Sequence, residues 1–511
     1  MFSGLEEVCM KTHLKESKVV EIIAYLYIML PFLIFAVGWM GKRFWIPIVF
    51  VLIFSFYKIC KEMEKSWIPE LHRENILKIV FIITIIGIWV YYSGIGRLVF
   101  QNADHTARNA IFDVLVQYEW PVINYDVNLE MMPKGTTATS LVYYIGFWLP
   151  SAVIGKIFGL EAGYGFQIFW AILGITLVYY LLCERYKKLL VWPLLILIFF
   201  SGLDVIGYCL STGTLQAWVG DAHIEWWVGQ PYQYSSVTTQ LFWVFNQAIP
   251  AWLCTMLAWK QKNNRSIVVI LACCMLPSTF GFVGLLLLVC FWMFTRKYET
   301  VQGKTKKERI SSYTRSWIKD TFTIQNVLGG GVIGIFSFLY LSINVSGNMV
   351  MEKKTLGAAY TDHPLKYFMF IILEIGIYFL LLYKYQKKNS FYYYILINLL
   401  LIPFFKIGAA SDFCMRASIP ALFILMVLVM DTLIEAKAKK DVLVLGGLIL
   451  TLLIGSVTPI HEIGRTFRET IERLYTEDQV YEQSSNTYDL LNSGNFSGAT
   501  DFSFFFKYIV K

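Results

Sequence analysis

The sequence predicts an all-α polytopic integral membrane protein, with about 11 to 13 transmembrane helices, a re-entrant or broken segment and a large first outer loop. Three observations predict it. Of 511 residues, 57% are hydrophobic and 16% charged, and the mean hydropathy is +0.55. Soluble domains are about 45–50% apolar and about 25% charged, so a water-soluble fold is excluded. Apolar blocks of about 17 to 25 residues recur along the chain, continuous rather than alternating, which excludes a transmembrane barrel. The basic residues behind the net charge of +8 sit mostly in short loops between these blocks, which is a topology signal and not a nucleic-acid footprint.

In chain order, the blocks at 19–40, 44–60, 77–95, 162–183, 189–210, 238–259, 326–345, 366–385, 390–406, 417–434 and 442–458 each suit one crossing. The first follows a polar stretch with Glu6, Glu7 and Glu16 and ends without a small-residue cleavage site, so it reads as a retained span. Residues 137–160 carry Pro150 and Lys156, while 266–295 is too long for one crossing and is broken at 276–281. Charge arbitrates, because cytoplasmic loops gather Lys and Arg. With Lys11, Lys15 and Lys18 inside, Lys58 is inside as well, and Arg185 is inside only if 137–160 dips into the outer leaflet or crosses an even number of times. The basic stretch 295–319 likewise makes 266–295 a hairpin. Lys42 and Arg43 alone fall outside.

The expected protein is therefore a multi-pass cell-membrane protein with a cytoplasmic N-terminus. Residues 1–458 form the membrane domain, with outer loops at 96–136, 211–237, 346–364 and 407–416, and 459–511 form a polar outward-facing tail. The nine cysteines are an odd number without metal spacing and read as packing residues.

Titratable groups other than loop anchors gather on the outer side. Asp104 and His105 follow the third span and open a stretch to Tyr118 with apolar residues at helical spacing, which predicts a surface-lying amphipathic helix. A carboxylate there suits catalysis and equally suits an N-cap. The second outer loop carries Asp221, His223, Glu225, Trp226 and Trp227, where the indoles fit sugar stacking or an interfacial belt. Asp221, His223 and Glu225 do not share a helical face, so their spacing does not specify a metal. Asp204 ends a span, and Asp412 with Arg416 sits at a span mouth where an Arg fork can clamp phosphate or pair with the Asp. Lys353 and Lys406 are further outer cations, and Glu374 is alone in an apolar span.

At these residues the chain resembles the GT-C glycosyltransferases, multi-span helical enzymes with an acidic residue just after a span in the first large outer loop, followed by a surface helix. Asp104 occupies the matching position. The resemblance extends through Trp120-Pro121, Tyr143 to Pro150, Asn246 to Trp252 and Asp412 to Pro420, strings similar to those of uncharacterised bacterial polytopic proteins of that type. It implies hexosyl transfer from a polyprenyl-phosphate-linked donor to a glycan, lipid or protein acceptor of the cell envelope. Asp104 would serve as base with His105 as helper, and Arg416 with Lys406 or Lys353 would offset phosphate charge. Asp204, Asp221, His223, Glu225, Trp226, Trp227 and Asp412 would complete the substrate site. The first loop lacks an Asp-x-Asp pair, which leaves a divalent metal open, and no other cofactor is implied. A flippase or transporter of lipid-linked sugar, or a polysaccharide polymerase, is the alternative; a carrier needs ionisable groups along a path through the spans.

Overall fold

A computed structural model describes residues 16–128, 130, 132–214, 223–229, 232–298, 305–344, 364–407, 411–476 and 478–511. The chain is all-α apart from small sheets. Among the described residues, nine helical stretches have the length and hydropathy to cross a membrane. Three of these open the chain, α1 (Val19–Trp39), α2 (Lys42–Glu62) and α3 (Arg73–Tyr92). Then α4 (Asp104–Gln117), α5 (Leu149–Phe158) and α6 (Leu160–Tyr186) lead to a broken span made of α7 (Val191–Phe199) and α8 (Asp204–Thr212). A long helix α9 (Val237–Lys260) precedes the pair α10 (Ile267–Met275) and α11 (Thr279–Thr295). Helix α12 (Lys306–Thr321) meets α13 (Gln325–Leu341) at a 60° bend. The last third holds α14 (Pro364–Gln386), α15 (Ser390–Leu401), α16 (Asp412–Ala417), α17 (Ile419–Ala438), α18 (Val442–Gly455), α19 (Val457–Tyr475), α20 (Thr487–Asn492) and α21 (Phe504–Tyr508).

Nine is fewer than the 11 to 13 crossings expected, and three apolar blocks account for the difference. The 266–295 block splits at Leu276–Ser278 into two helices, and Asn264 Nδ2 reaches the Met293 carbonyl at 3.3 Å, so its ends return to one place. The 390–406 block yields a helix of only 12 residues, and the 326–345 block lies on the bent pair. Helix α5, with 10 residues, spans about 15 Å, half of what a crossing needs.

Helix α9 is the axis of the bundle, buried almost from end to end, while α2 and α3 expose most of their apolar surface, as lipid-facing helices do. Its polar residues are satisfied across helices: Trp89 Nε1 donates to Thr238 Oγ1 at 3.0 Å, and Trp252 Nε1 to Gln240 Oε1 at 2.9 Å. Interhelical hydrogen bonds of this kind replace the hydrophobic drive that lipid cannot supply. The basic loops meet at one end, where Lys260 pairs with Glu21 and Glu184, tying α9 to α1 and α6. At the same end Arg185 forks onto Asp431 and Lys384 pairs with Asp441. A polar cavity of about 620 Å³ opens there around Lys260, Glu184 and Arg265.

The opposite end holds the 40–43 turn, residues 96–128 and 132–148, and the C-terminal segment. Strand Thr139–Leu141 pairs antiparallel with Ser497–Ala499, Met40 bridges Val510, and Arg43 donates to the Tyr508 carbonyl at 2.6 Å. The start of the tail, where Ile463, Phe467, Ile471 and Leu474 recur at helical spacing, is helical as that spacing predicts, and it follows α18 directly. Helix α4 is not surface-lying: His105, Arg108, Asn109, Ile111 and Leu115 are all buried. The bundle covers one face, and the C-terminal segment covers the other, with Asn109 Nδ2 donating to the Glu482 carbonyl at 3.0 Å.

Candidate active site at one end of the bundle

Asp104 is held by its neighbours in sequence. Gln101 Nε2 donates to the Gly94 carbonyl at 2.6 Å, and Asn102 Nδ2 to the Phe242 carbonyl at 2.8 Å. His105 Nε2 also lies 3.2 Å from that carbonyl. Val244, two residues on, leaves helical geometry at φ −142° and ψ 36°, and this kink in α9 opens the turn to outside donors. Asn102 Oδ1 accepts the Asp104 amide at 3.2 Å, fixing the start of α4.

The Asp104 side chain is 47% exposed, and its Oδ2 accepts from Arg108 Nη2 at 2.8 Å. Burial of the group raises its pKa, but the charges of Arg108 and then Arg416 outweigh this and hold the carboxyl below its ordinary value. Arg416, on α16, pairs with Asp412 at 3.0 Å and bonds to Tyr144. Both guanidinium groups are buried, yet Arg108 Nη1 and Arg416 Nε have no protein partner. Buried donors left unpaired cost free energy, so such atoms point to a ligand's oxygens. His105 lies behind the carboxylate; burial first and Arg108 second push its pKa down to about 3, so it stays neutral.

A second group adjoins this one. His223 feels the charge of Asp104, its ring stacks on Trp243 at 5.0 Å, and Trp226 lies 4.7 Å away. Glu462 of α19 accepts from Trp243 Nε1 at 2.9 Å and from Arg465 Nη2 at 2.7 Å.

A third group lies deeper. The sequence predicts Asp204 at the outer end of a span, but it stands at the break between α7 and α8, where Ser201 and Thr458 donate to it at 2.8 and 3.2 Å. Glu374, in a π-turn of α14, bonds to Asp204 and accepts from Trp227 Nε1 at 3.2 Å. Glu225 accepts from the Ser236 amide at 2.8 Å and from Gln233 Nε2 at 3.1 Å.

The structure thus brings Asp104, His105, Asp412 and Arg416 together, with His223 and Trp226 beside them and Asp204, Glu225 and Trp227 below. Lys406 is half-buried and has no ion pair among the described residues. Asp221 and Lys353 lie outside the described residues. Among the described residues no three His, Cys, Asp or Glu side chains converge on a place for one metal ion, and His223 and Glu225 turn to different partners.

Searches of protein-family models, curated proteins and solved structures find nothing that matches this chain.

Sequence reasoning passed over Arg108, Glu462 and Arg465. Arg108 was readable, since it follows Asp104 at i,i+4. Glu462 and Arg465 carried no such signal, because only the fold sets α19 against Trp243.

Proposed function

We propose that this chain is a GT-C-like membrane glycosyltransferase, moving a hexosyl group from a polyprenyl-phosphate-linked donor to an acceptor on the outer face, with the N-terminus cytoplasmic and α5 a re-entrant element. One observation carries the reading: a half-exposed carboxylate flanked by two buried guanidinium groups, each with a nitrogen that no protein atom occupies. In the reaction the acceptor hydroxyl oxygen bonds to the anomeric carbon as the bond from that carbon to the phosphate oxygen breaks. The hydroxyl proton passes to Asp104, and the negative charge left on the lipid phosphate falls to Arg108 and Arg416. Asp104 is ionised at neutral pH, as a proton acceptor must be, and the lowered pKa that makes it a weak base fits a proton taken only as the new C–O bond forms.

The test is transfer from radiolabelled polyprenyl-phosphate hexoses by the purified protein in proteoliposomes. Asp104→Asn should lower turnover by about 10²–10⁴-fold, the usual worth of a positioned base, with insertion and melting unchanged. Full turnover in that variant would remove Asp104 from the chemistry.

A carrier of lipid-linked sugar is the second reading, and one observation favours it: Asp204 and Glu374 are bonded at a helix break within the bundle, the kind of site transporters use. The same vesicles separate the two, because a carrier moves labelled lipid between leaflets without cleaving it.

A further inference from the structure

We propose that His223, Trp226, Trp243, Glu462 and Arg465 form the subsite for a neutral sugar ring of the acceptor, which makes that acceptor a glycan; this rests on the transferase reading above. Three observations lead there. First, polar atoms in this cluster are buried and unspent. His223 Nδ1, Glu462 Oε1 and Arg465 Nε have no partner, on side chains exposed by only 3%, 1% and 8%. The Nδ1 to Oε1 separation is 3.6 Å, too long for a direct hydrogen bond. A hydroxyl between them would satisfy both, donating to the carboxylate and accepting from the imidazole N–H, since a hydroxyl is both donor and acceptor.

Second, the cluster pairs those atoms with an open aromatic face. Trp226 is 58% exposed, its ring 4.7 Å from His223 and 6.2 Å from Trp243. A pyranose presents an apolar C–H face beside a rim of hydroxyls, and a flat indole next to polar groups matches both. The cluster is also neutral overall: Glu462 is balanced by Arg465, and burial keeps His223 uncharged, with its pKa pushed down to about 4. Charged phosphate belongs instead with Arg108 and Arg416.

Third, Asp104 interacts with both sides. The charge of Arg416 acts on it, and its own charge reaches His223, so it is within reach of both groups. A base that takes a proton from the acceptor while the donor leaves must stand between the two.

The experiment uses the full chain in detergent and in proteoliposomes. Methyl glycosides of glucose, galactose, mannose and N-acetylglucosamine are titrated against tryptophan fluorescence. At least one should quench it saturably, and Trp226→Ala and Glu462→Gln should each weaken that binding tenfold or more. In turnover, Trp226→Ala should raise the acceptor KM by the same factor and leave the donor KM unchanged. No saturable quenching by any of the four, binding unaltered in both variants, or a raised donor KM in place of the acceptor's would overturn the subsite. Failure of the transferase reading looks different: sugar still binds through Trp226, but no hexose leaves the donor lipid.

Discussion

At Asp104 and Glu225 the same residue class is driven in opposite directions by its surroundings. Asp104 is half-exposed beside two cations, so its charged form is favoured. Glu225 is buried, and that burial first, then the nearby Asp204, raises its pKa to about 8. An unfolded Glu titrates near 4.5, so the folded state holds its proton across a range in which the unfolded chain has lost it. Stability from this group is therefore complete below the unfolded pKa and is lost as pH rises towards the folded one. Above pH 6.5, where the buried His105 and His223 are neutral in both the folded and unfolded chain, melting of the wild type in detergent should fall up to pH 8.5, with a contribution from this site of about 2 kcal/mol. Glu225→Gln should flatten that decline, and an equally steep decline in the variant would refute the protonated state. Which acid takes which role was not legible from the sequence. Asp104 and Glu225 both appear there as loop acids; Arg108 at i,i+4 marks the first, but only the fold brings the charge of Arg416 to it and buries the second against the start of α9.

At the scale of elements, close packing puts Arg416 in place. Helix α11 passes directly beside α16, and a Cβ on Gly284 would run into the Ala417 carbonyl, next to Arg416, and lie 3.2 Å from Pro420 Cδ. Small residues let helices in a bilayer approach this closely. Gly284→Ala should push α16 outward, lowering stability by about 1–3 kcal/mol as overpacking does. The loss of transfer should exceed the loss of folded protein, because a misplacement of about 1 Å can cost about 10²-fold. Normal melting with normal turnover would show that α16 does not depend on this contact. The apolar blocks were legible as helices, since continuous hydrophobicity needs no tertiary information. Their breaks were legible only where Pro marked them, as at Pro277. The break before Asp204 falls at Ser201-Gly202, where Glu374 crowds Gly202, and that neighbour comes from a helix far along the chain. The covered state of α4 was hidden for a similar reason, because its second cover comes from residues 482–492.

Over the whole molecule, two ends differ in chemistry and are separated by spans that cover a hydrocarbon core of about 30 Å. One end gathers the basic loops and the Lys260 pairs; the other gathers Asp104, Arg416 and the C-terminal strand. Lys42 and Arg43, the exception to the charge rule, belong to the second end, where Arg43 is engaged by the Tyr508 carbonyl. Arg43 thus has a local partner at that end. A lipid-linked donor has its phosphate in one leaflet only, so the transferase reading requires the second end to face outward. Asp489, exposed on α20, reports that end, and Lys388, exposed between α14 and α15, reports the other. In intact cells a membrane-impermeant maleimide should label Asp489→Cys above the wild-type background and reach Lys388→Cys only after permeabilisation. The reverse pattern would turn the molecule over and leave Asp104 facing the cytoplasm, away from any donor presented outside. Labelling of both positions in intact cells would mean that the two ends share a face, contrary to the bundle itself.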